Sequence, residues 1–167
     1  ITGTATLGRV AGFETLAKRA AGILTLDGAG VSTLDSATIH AGTLRIASGA
    51  SLAAAVGASL VTDVRANATL DVLGAWGCGT QGDTWTIAGT VSGNGTKDQC
   101  GGDDTLTLTD GASITGSSIL GGAQVAEDLV VVDNALALDV DNIAGYERLR
   151  KQGAGEAALI GGLGFDP

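Results

Sequence analysis

Apolar and polar residues alternate in short runs along the whole chain, and each run is followed by Gly, Asn, Asp or Ser. Alternation with a period of two is typical of strands that bury one face, and the residues that follow are those that favour turns. The clearest runs are GILTLDGAG (22–30), GTLRIASGASL (42–52), ATLDVLGAWG (68–77), DTWTIAGTVSG (83–93), DTLTLTDGASITG (104–116) and DLVVVDNALAL (128–138). The pattern predicts an all-β protein.

The spacing of these runs predicts how the strands are arranged. Successive apolar positions at Leu24, Leu44, Leu70, Trp85, Leu106 and Val130 are 20, 26, 15, 21 and 24 residues apart. A sandwich or jelly roll also spaces short strands regularly, but at about 8–12 residues with hairpin turns between them. Recurrence at roughly twenty residues is typical of a solenoid whose coils stack on one another. We therefore predict a parallel β-helix of about seven to eight coils.

One segment of the chain occurs twice. AGFETLAKRAAGILTLDG (11–28) resembles AGYERLRKQGAGEAALIGG (144–162) at an offset of 133 residues, which is about six coils. The repetition indicates two coils of one type rather than two active sites. We expect the Glu and Lys residues of both copies on the outside. We expect the interior to be filled by Phe13, Leu16, Tyr146 and Leu149.

Composition narrows the class of protein further. The chain has 28 glycines in 167 residues, 3% aromatic residues and 44% hydrophobic residues, so neither a disordered chain nor an aromatic-rich core is expected. The net charge of −9 argues against binding to nucleic acid or to an anionic membrane. No apolar run is long enough to cross a bilayer, so no membrane insertion is expected. Residues 1–167 are predicted to be a single segment of a longer protein, because Ile1 lies within a strand-like pattern.

The two cysteines are 22 residues apart, at Cys78 and Cys100, which is about one coil. Equivalent positions of neighbouring parallel strands lie about 4.8 Å apart, within the range that a disulfide accepts. We predict a Cys78–Cys100 bridge, with two buried thiols as the alternative. Such a bridge would persist in an extracellular or periplasmic compartment.

Few residues indicate catalysis. His40 is the only histidine, and no serine nucleophile motif is present, so His40 is expected to be an ordinary surface or turn residue. Four acidic residues occur close together in sequence, and paired carboxylates are the requirement for glycoside hydrolysis. They are Asp98, Asp103, Asp104 and Asp110.

Three further features leave alternatives open. A charged strand face that could begin an enzyme site is formed by Arg45, Asp63, Arg65 and Asp71. GGDDTLTLT (101–109) partly matches a calcium-binding nonapeptide, so calcium stays an alternative to our prediction of no cofactor and no metal. Trp76 and Trp85 are a candidate ligand-binding surface, and packing in the core or around the predicted disulfide is the other interpretation of both side chains.

The doubled segment carries a family resemblance. GFETLAKRAAGILTLDG (12–28) and GYERLRKQGAGEAALIGG (145–162) resemble a segment that recurs in bacterial autotransporter passenger domains. CGGDDTLTLTDGASITGSSILGGAQVAEDLVVVD (100–133) resembles the stretch that often precedes that segment. The resemblance implies a right-handed parallel β-helix, exported across the outer membrane and displayed on, or released from, the cell surface. A signal peptide and a C-terminal outer-membrane barrel would flank the segment.

The resemblance implies a scaffold more than an activity, because one fold hosts many functions. We expect a non-enzymatic module that acts as an adhesin, an autoaggregation module or a structural stem. Its expected partners are a host receptor, a surface glycan or the same protein on a neighbouring cell, besides its own barrel. The alternative is a polysaccharide-active enzyme, a lyase or glycosidase, that uses acidic residues or calcium.

Overall fold

A computed structural model describes residues 3–124, 127–160 and 164–165, with the side chains of residues 78, 123, 124, 164 and 165 excepted. These residues form parallel sheets and contain no helix. The strands are numbered in chain order. Three sheets, here called A, B and C, run along the molecule, and each complete coil adds one strand to A, then to C, then to B, although A ends before B and C do.

The bounds of the strands are as follows. Sheet A contains β1 (Thr4–Leu7), β3 (Ile23–Leu26), β6 (Gly42–Ile46), β9 (Ala68–Val72), β12 (Thr90–Ser92) and β15 (Ser113–Ile114). Sheet B contains β2 (Thr15–Lys18), β5 (Ser36–Ile39), β8 (Val61–Val64), β11 (Thr84–Ile87), β14 (Thr105–Thr109), β18 (Leu129–Asp133) and β21 (Arg148–Gln152). Sheet C contains β4 (Gly30–Leu34), β7 (Ala50–Ala54), β10 (Ala75–Gly79), β13 (Thr96–Gly102), β16 (Ile119–Leu120), β20 (Ile143–Tyr146) and β23 (Gly164–Phe165), and β17 (Ala123–Gln124) pairs with β13. A separate pair consists of β19 (Leu138–Val140) and β22 (Ala157–Leu159).

Alternation along each strand directs apolar side chains into a single interior. In β9, Ala68, Leu70 and Val72 are buried, whereas Thr69 and Asp71 are partly exposed. Pairing in register then stacks like residues from coil to coil, as in the column Leu24–Leu44–Leu70–Val91 of sheet A. The interior is therefore a set of mainly apolar columns, each supported by the coils above and below it, with Thr62 and Lys97 among the buried polar exceptions.

The predicted fold class is confirmed: the protein is a parallel β-solenoid of about seven coils. Four of the five predicted intervals are pairs in register: Leu24 with Leu44, Leu44 with Leu70, Trp85 with Leu106, and Leu106 with Val130. Leu70 and Trp85 do not pair in register, because Leu70 lies in sheet A and Trp85 in sheet B. A coil carries three strands, and the same alternation occurs in all of them.

The two copies of the doubled segment lie in one column of sheet B. Register pairs lead from Leu16 through six steps to Leu149, so the two copies are six coils apart, as predicted. Tyr146 is buried at 1% exposure, but Phe13 is 63% exposed and Leu149 39% exposed, so two of the four residues predicted to fill the interior do not. Both lie on terminal coils of the described stack, where one side has no neighbouring coil.

The expectation that both lysines lie outside is wrong for Lys18. Lys18 is 4% exposed, and its ammonium group reaches the turn carbonyls of Ala20 and Ala41, with the Nζ–O distance to Ala41 at 3.1 Å. Its counterpart Lys151 is exposed. A long side chain can bury its aliphatic part while its ammonium group donates hydrogen bonds to carbonyls at the corner of a coil.

Among the described residues, no helix has the length and apolar character that a bilayer crossing requires.

Candidate functional site: a buried carboxylate ladder

Three aspartates occupy one position in successive coils, immediately before the strands of sheet B. Asp83, Asp104 and Asp128 precede Thr84, Thr105 and Leu129, which pair with one another in register. All three aspartates are 0% exposed. The fold therefore stacks three carboxyl groups inside the molecule, where buried acids are rare unless they are satisfied.

Each of these carboxyl groups accepts a hydrogen bond from the backbone of the preceding coil. Asp83 Oδ1 accepts from the amide of Leu60 at 2.6 Å. Asp104 Oδ1 accepts from Asp83 N at 2.6 Å, and Asp128 Oδ1 accepts from Asp104 N at 2.7 Å. Glu147 Oε2 continues the series, since it accepts from Asp128 N at 2.8 Å. We call Asp83, Asp104, Asp128 and Glu147 the carboxylate ladder.

Glycines make room for the ladder. A Cβ atom at Gly79 would lie 2.4 Å from Asp83 Oδ1, and one at Gly121 would lie 2.8 Å from Asp128 Oδ2. Any larger residue at either position would collide with a carboxyl group, so Gly79 at the end of β10 and Gly121 after β16 are adapted to the ladder.

A buried amide and a buried phenol complete the surroundings. Tyr146 donates its hydroxyl hydrogen to Gln99 Oε1, and Gln99 Nε2 donates to the carbonyl of Asp83 at 3.3 Å. Burial raises the pKa of Tyr146 well above its ordinary value, and the neighbouring acids, Asp104 first, raise it further. Tyr146 therefore stays a neutral donor beside the ladder.

Burial also raises the pKa values of the aspartates. Desolvation raises the pKa of Asp83 to about 6, against the hydrogen bonds from Leu60 and Gly79. The pKa of Asp104 rises to about 7, mainly through desolvation and further through Asp128, Asp83 and Asp98. Desolvation raises the pKa of Asp128 as well, and the charge of Glu147 adds to the rise.

The arrangement can hold protons, and its three aspartates are 0% exposed within the described residues. Asp104 Oδ2 and Asp128 Oδ2 are buried without a hydrogen-bond partner in the described part of the chain, which suits a protonated carboxyl group. Their Oδ1 atoms are engaged by backbone amides. The ladder thus serves to connect coils.

The four acidic residues that lie close together in sequence do not form one cluster in the structure. Asp104 belongs to the ladder, but its neighbour Asp103 is exposed. Asp98 lies in β13 and accepts from Cys100 N at 2.9 Å, whereas Asp110 accepts from Ala135 N and Leu136 N at 2.9 Å each. Proximity along the chain grouped residues from three places: strand β13, the connection between β13 and β14, and the turn after β14. Asp83 and Asp128 were missed, although their spacings from Asp104 of 21 and 24 residues match those of the apolar columns.

The predicted charged face divides between two sheets. Arg45 pairs with Asp71 on sheet A, with Nε and Oδ2 2.7 Å apart. Arg65 pairs with Asp63 at the end of a strand of sheet B, also at 2.7 Å. Each acid therefore faces a base on its own sheet, and the four residues do not form one site.

The two tryptophans do not form an exposed binding surface. Trp76 is 1% exposed and Trp85 is 0% exposed, so both fill the core, as the alternative interpretation held. Trp76 Nε1 donates to Thr62 Oγ1 at 3.2 Å. Their alternating strand positions point them inward, and aromatic character alone did not show this.

Cys78 and Cys100 lie on paired strands, β10 and β13. Register places Cys100 opposite Gly79, one residue beyond Cys78. The side chain of Cys78 lies outside the described residues, so the bridge stays a prediction. His40 follows β5 and is partly exposed.

Alkylation under denaturing conditions tests the bridge. Without reductant, we expect the mass of the chain to stay unchanged, because no thiol is available. After reduction, two alkyl groups should be added. Modification of either cysteine before reduction would contradict the bridge.

Within the described residues, no group of three or more His, Cys, Asp or Glu side chains is placed to hold a metal ion.

No family model, curated protein or solved structure matches the chain.

Proposed function

We propose that this chain is a non-enzymatic stem of the autotransporter passenger type, which holds an adhesive surface away from the cell. The observation that supports this best is the use of the buried acids. Asp83, Asp104 and Asp128 each engage a backbone amide of the neighbouring coil, and none faces solvent. Residues that would be candidates for acid–base chemistry thus contribute to cohesion along the axis.

The continuity of the coils supports the same function. Sheet B pairs seven strands in an unbroken parallel series, from β2 to β21. At about 4.8 Å per coil, such a series spans roughly 30 Å. Every coil buries its inner face against the next, so the stack resists bending and suits the display of a distant surface.

The outward faces suit contact with other molecules in solution. The outward positions of β11 and β14 carry Thr84, Thr86, Thr105 and Thr107 in register. The ion pair Arg65–Asp63 lies at the end of one of these threonine rows, since Asp63 pairs in register with Thr86. Such a surface binds through many weak polar contacts, and we propose as partners a host receptor, a surface glycan or the same protein on another cell. The location that follows is the bacterial surface or the surrounding medium.

Display on cells tests this function. The chain is placed between an outer-membrane anchor and an epitope, and cells with the anchor and epitope alone are the control. We expect antibody binding to the epitope to increase with the stem present. We expect no new reducing or unsaturated ends when the cells are incubated with acidic polysaccharides, with or without Ca²⁺.

Turnover above the anchor-only control would instead favour a polysaccharide-active enzyme. The variants Asp63→Asn and Asp71→Asn then decide whether the two ion-paired faces carry it. Turnover that is lost in either variant would overturn the stem as the sole function. Equal antibody binding with and without the chain would contradict the stem directly.

A further inference from the structure

Sheet A is interrupted after its sixth described strand, β15. The series of paired strands ends at β15, and β19 pairs only with β22. A cleft of about 360 Å³ lies between β15 and β19. This volume is in the range of sites for small molecules.

Side chains hold the two coils together on both sides of the cleft. On one side, Asp110 Oδ1 accepts from the amides of Ala135 and Leu136, at 2.9 Å each. On the other, Asn142 Nδ2 donates to the carbonyl of Ile114 at 2.9 Å. The gap is thus framed by specific contacts.

The floor of the cleft is apolar and is more open than the rest of the core. Ile114 is 9% exposed and Leu138 is 6% exposed, whereas Leu70 and Val91, which precede Ile114 in the same column, are 0% exposed. Leu108 completes the floor. A short alkyl chain would cover these side chains.

The walls supply hydrogen-bond acceptors. Asp139 and Asp141 line one wall, and Ser113 and Thr115 line the other. Asp141 Oδ1 is buried and has no partner in the described part of the chain. Leu138 donates its amide to Glu156 O, and Val140 O accepts from Ile160 N, both toward β22. The carbonyl of Asp139, between them, is therefore directed toward the cleft, because successive peptide groups of a strand face opposite edges.

We propose that this cleft binds a primary alkylammonium group, either of a free diamine or of a lysine side chain. The described residues that line it include two carboxylates and no Lys, Arg or His. An ammonium group has three donors and no acceptor, which matches the carboxylate and carbonyl oxygens of the wall. Its alkyl stem matches the apolar floor, as lysine stems do on protein surfaces.

Titration followed by amide proton–nitrogen NMR tests the proposal on the full chain. The probes are cadaverine, Nα-acetyl-lysine amide and, as the uncharged control, pentan-1-ol. Cadaverine is expected to shift the amides of Ile114 and Asp139 with a Kd of about 1 mM, since a partly exposed ion pair contributes modestly. If Nα-acetyl-lysine amide binds as well as cadaverine, a lysine side chain is identified as a ligand. If cadaverine alone binds, the ligand is identified as a free diamine.

Matched variants distinguish binding in the cleft from nonspecific attraction of cadaverine to the negatively charged chain. Asp141→Asn and Asp139→Asn are each expected to weaken cadaverine at least about fivefold, because one carboxylate of the wall is lost. Asp133→Asn removes the same charge from an exposed position of β18, outside the cleft, and should change Kd less than about twofold. Asp139 is exposed, so its substitution leaves the fold intact.

Three results would overturn the proposal: equal shifts with pentan-1-ol, equal weakening by Asp133→Asn, or no shift with millimolar cadaverine. None of these would affect the proposed stem, which does not depend on the cleft.

Discussion

Raising the pH from about 5 to about 8 is expected to lower the free energy of unfolding by on the order of 3 kcal/mol. The pKa of Asp83 rises on folding from 3.8 to about 6, and that of Asp104 from 3.8 to about 7. Between the unfolded and folded pKa values the native state binds more protons than the unfolded state, so stability falls as pH rises through this window. Below about pH 4 both states are protonated and the advantage is complete.

Urea denaturation at a series of pH values measures this dependence. The pKa of Lys97, lowered by burial to about 8, acts in the opposite direction only above that pH, so the series ends at about pH 8. Asp98, Asp103 and Tyr146 lie near the ladder, and Glu147 is part of it, but the dependence between pH 5 and pH 8 is assigned to the aspartates whose pKa values are raised.

Asp104→Asn is the informative variant for the ladder. Its amide oxygen can still accept from Asp83 N, but it does not ionise, so the loss of stability between pH 5 and pH 8 should shrink by about two-thirds. Asp104→Ala should instead lose about 1–3 kcal/mol already at pH 5, because the amide of Asp83 is left buried without an acceptor. Asp27→Asn, at an exposed position, is the control and should leave the pH dependence unchanged. Stability that rises toward pH 8 in the wild type would refute the role of the ladder.

Trp85→Ala is expected to lower the free energy of unfolding by about 3–5 kcal/mol. Trp85 is 0% exposed and stacks in register between Thr62 and Leu106. Neither neighbouring coil can close the cavity without breaking backbone hydrogen bonds that hold its own strands in the sheets. Urea denaturation followed by circular dichroism provides the measurement.

Phenylalanine at each tryptophan position gives the matched comparison. Trp85 Nε1 is buried without a partner in the described residues, whereas Trp76 Nε1 donates to Thr62. Trp85→Phe removes an unsatisfied donor, whereas Trp76→Phe leaves the hydroxyl of Thr62 without its donor. Trp85→Phe should therefore lower the free energy of unfolding less than Trp76→Phe does. The packing account would be contradicted by a cost below about 1 kcal/mol for Trp85→Ala, or by the reverse order of the two Phe variants.

The sequence predicts the solenoid well because stacking depends on local alternation and on intervals, and both are visible in one chain. Leu24, Leu44 and Leu70 could be placed in one column from their spacing alone. The assignment of Trp85 to that series failed, because the sequence does not mark which of three sheets a strand joins. Sheet membership depends on how each turn bends the chain.

The ladder was harder to predict for a different reason. Acidic residues before a strand are ordinary turn residues in a chain of net charge −9. Only the register shows that Asp83, Asp104 and Asp128 face inward at the same corner. Lys18 gives the same lesson, since its burial depends on two turn carbonyls that a spacing argument does not locate.

The shared column of Leu16 and Leu149 has a consequence for how such chains change length during evolution. Recombination between the two copies of the doubled segment would remove 133 residues, which is a whole number of coils. The strand on one side of the junction would meet a strand of the same sheet on the other, with its inward positions still inward. A gene for such a solenoid can therefore be shortened or extended through its own repeats while the inward-facing residues of each strand stay inward.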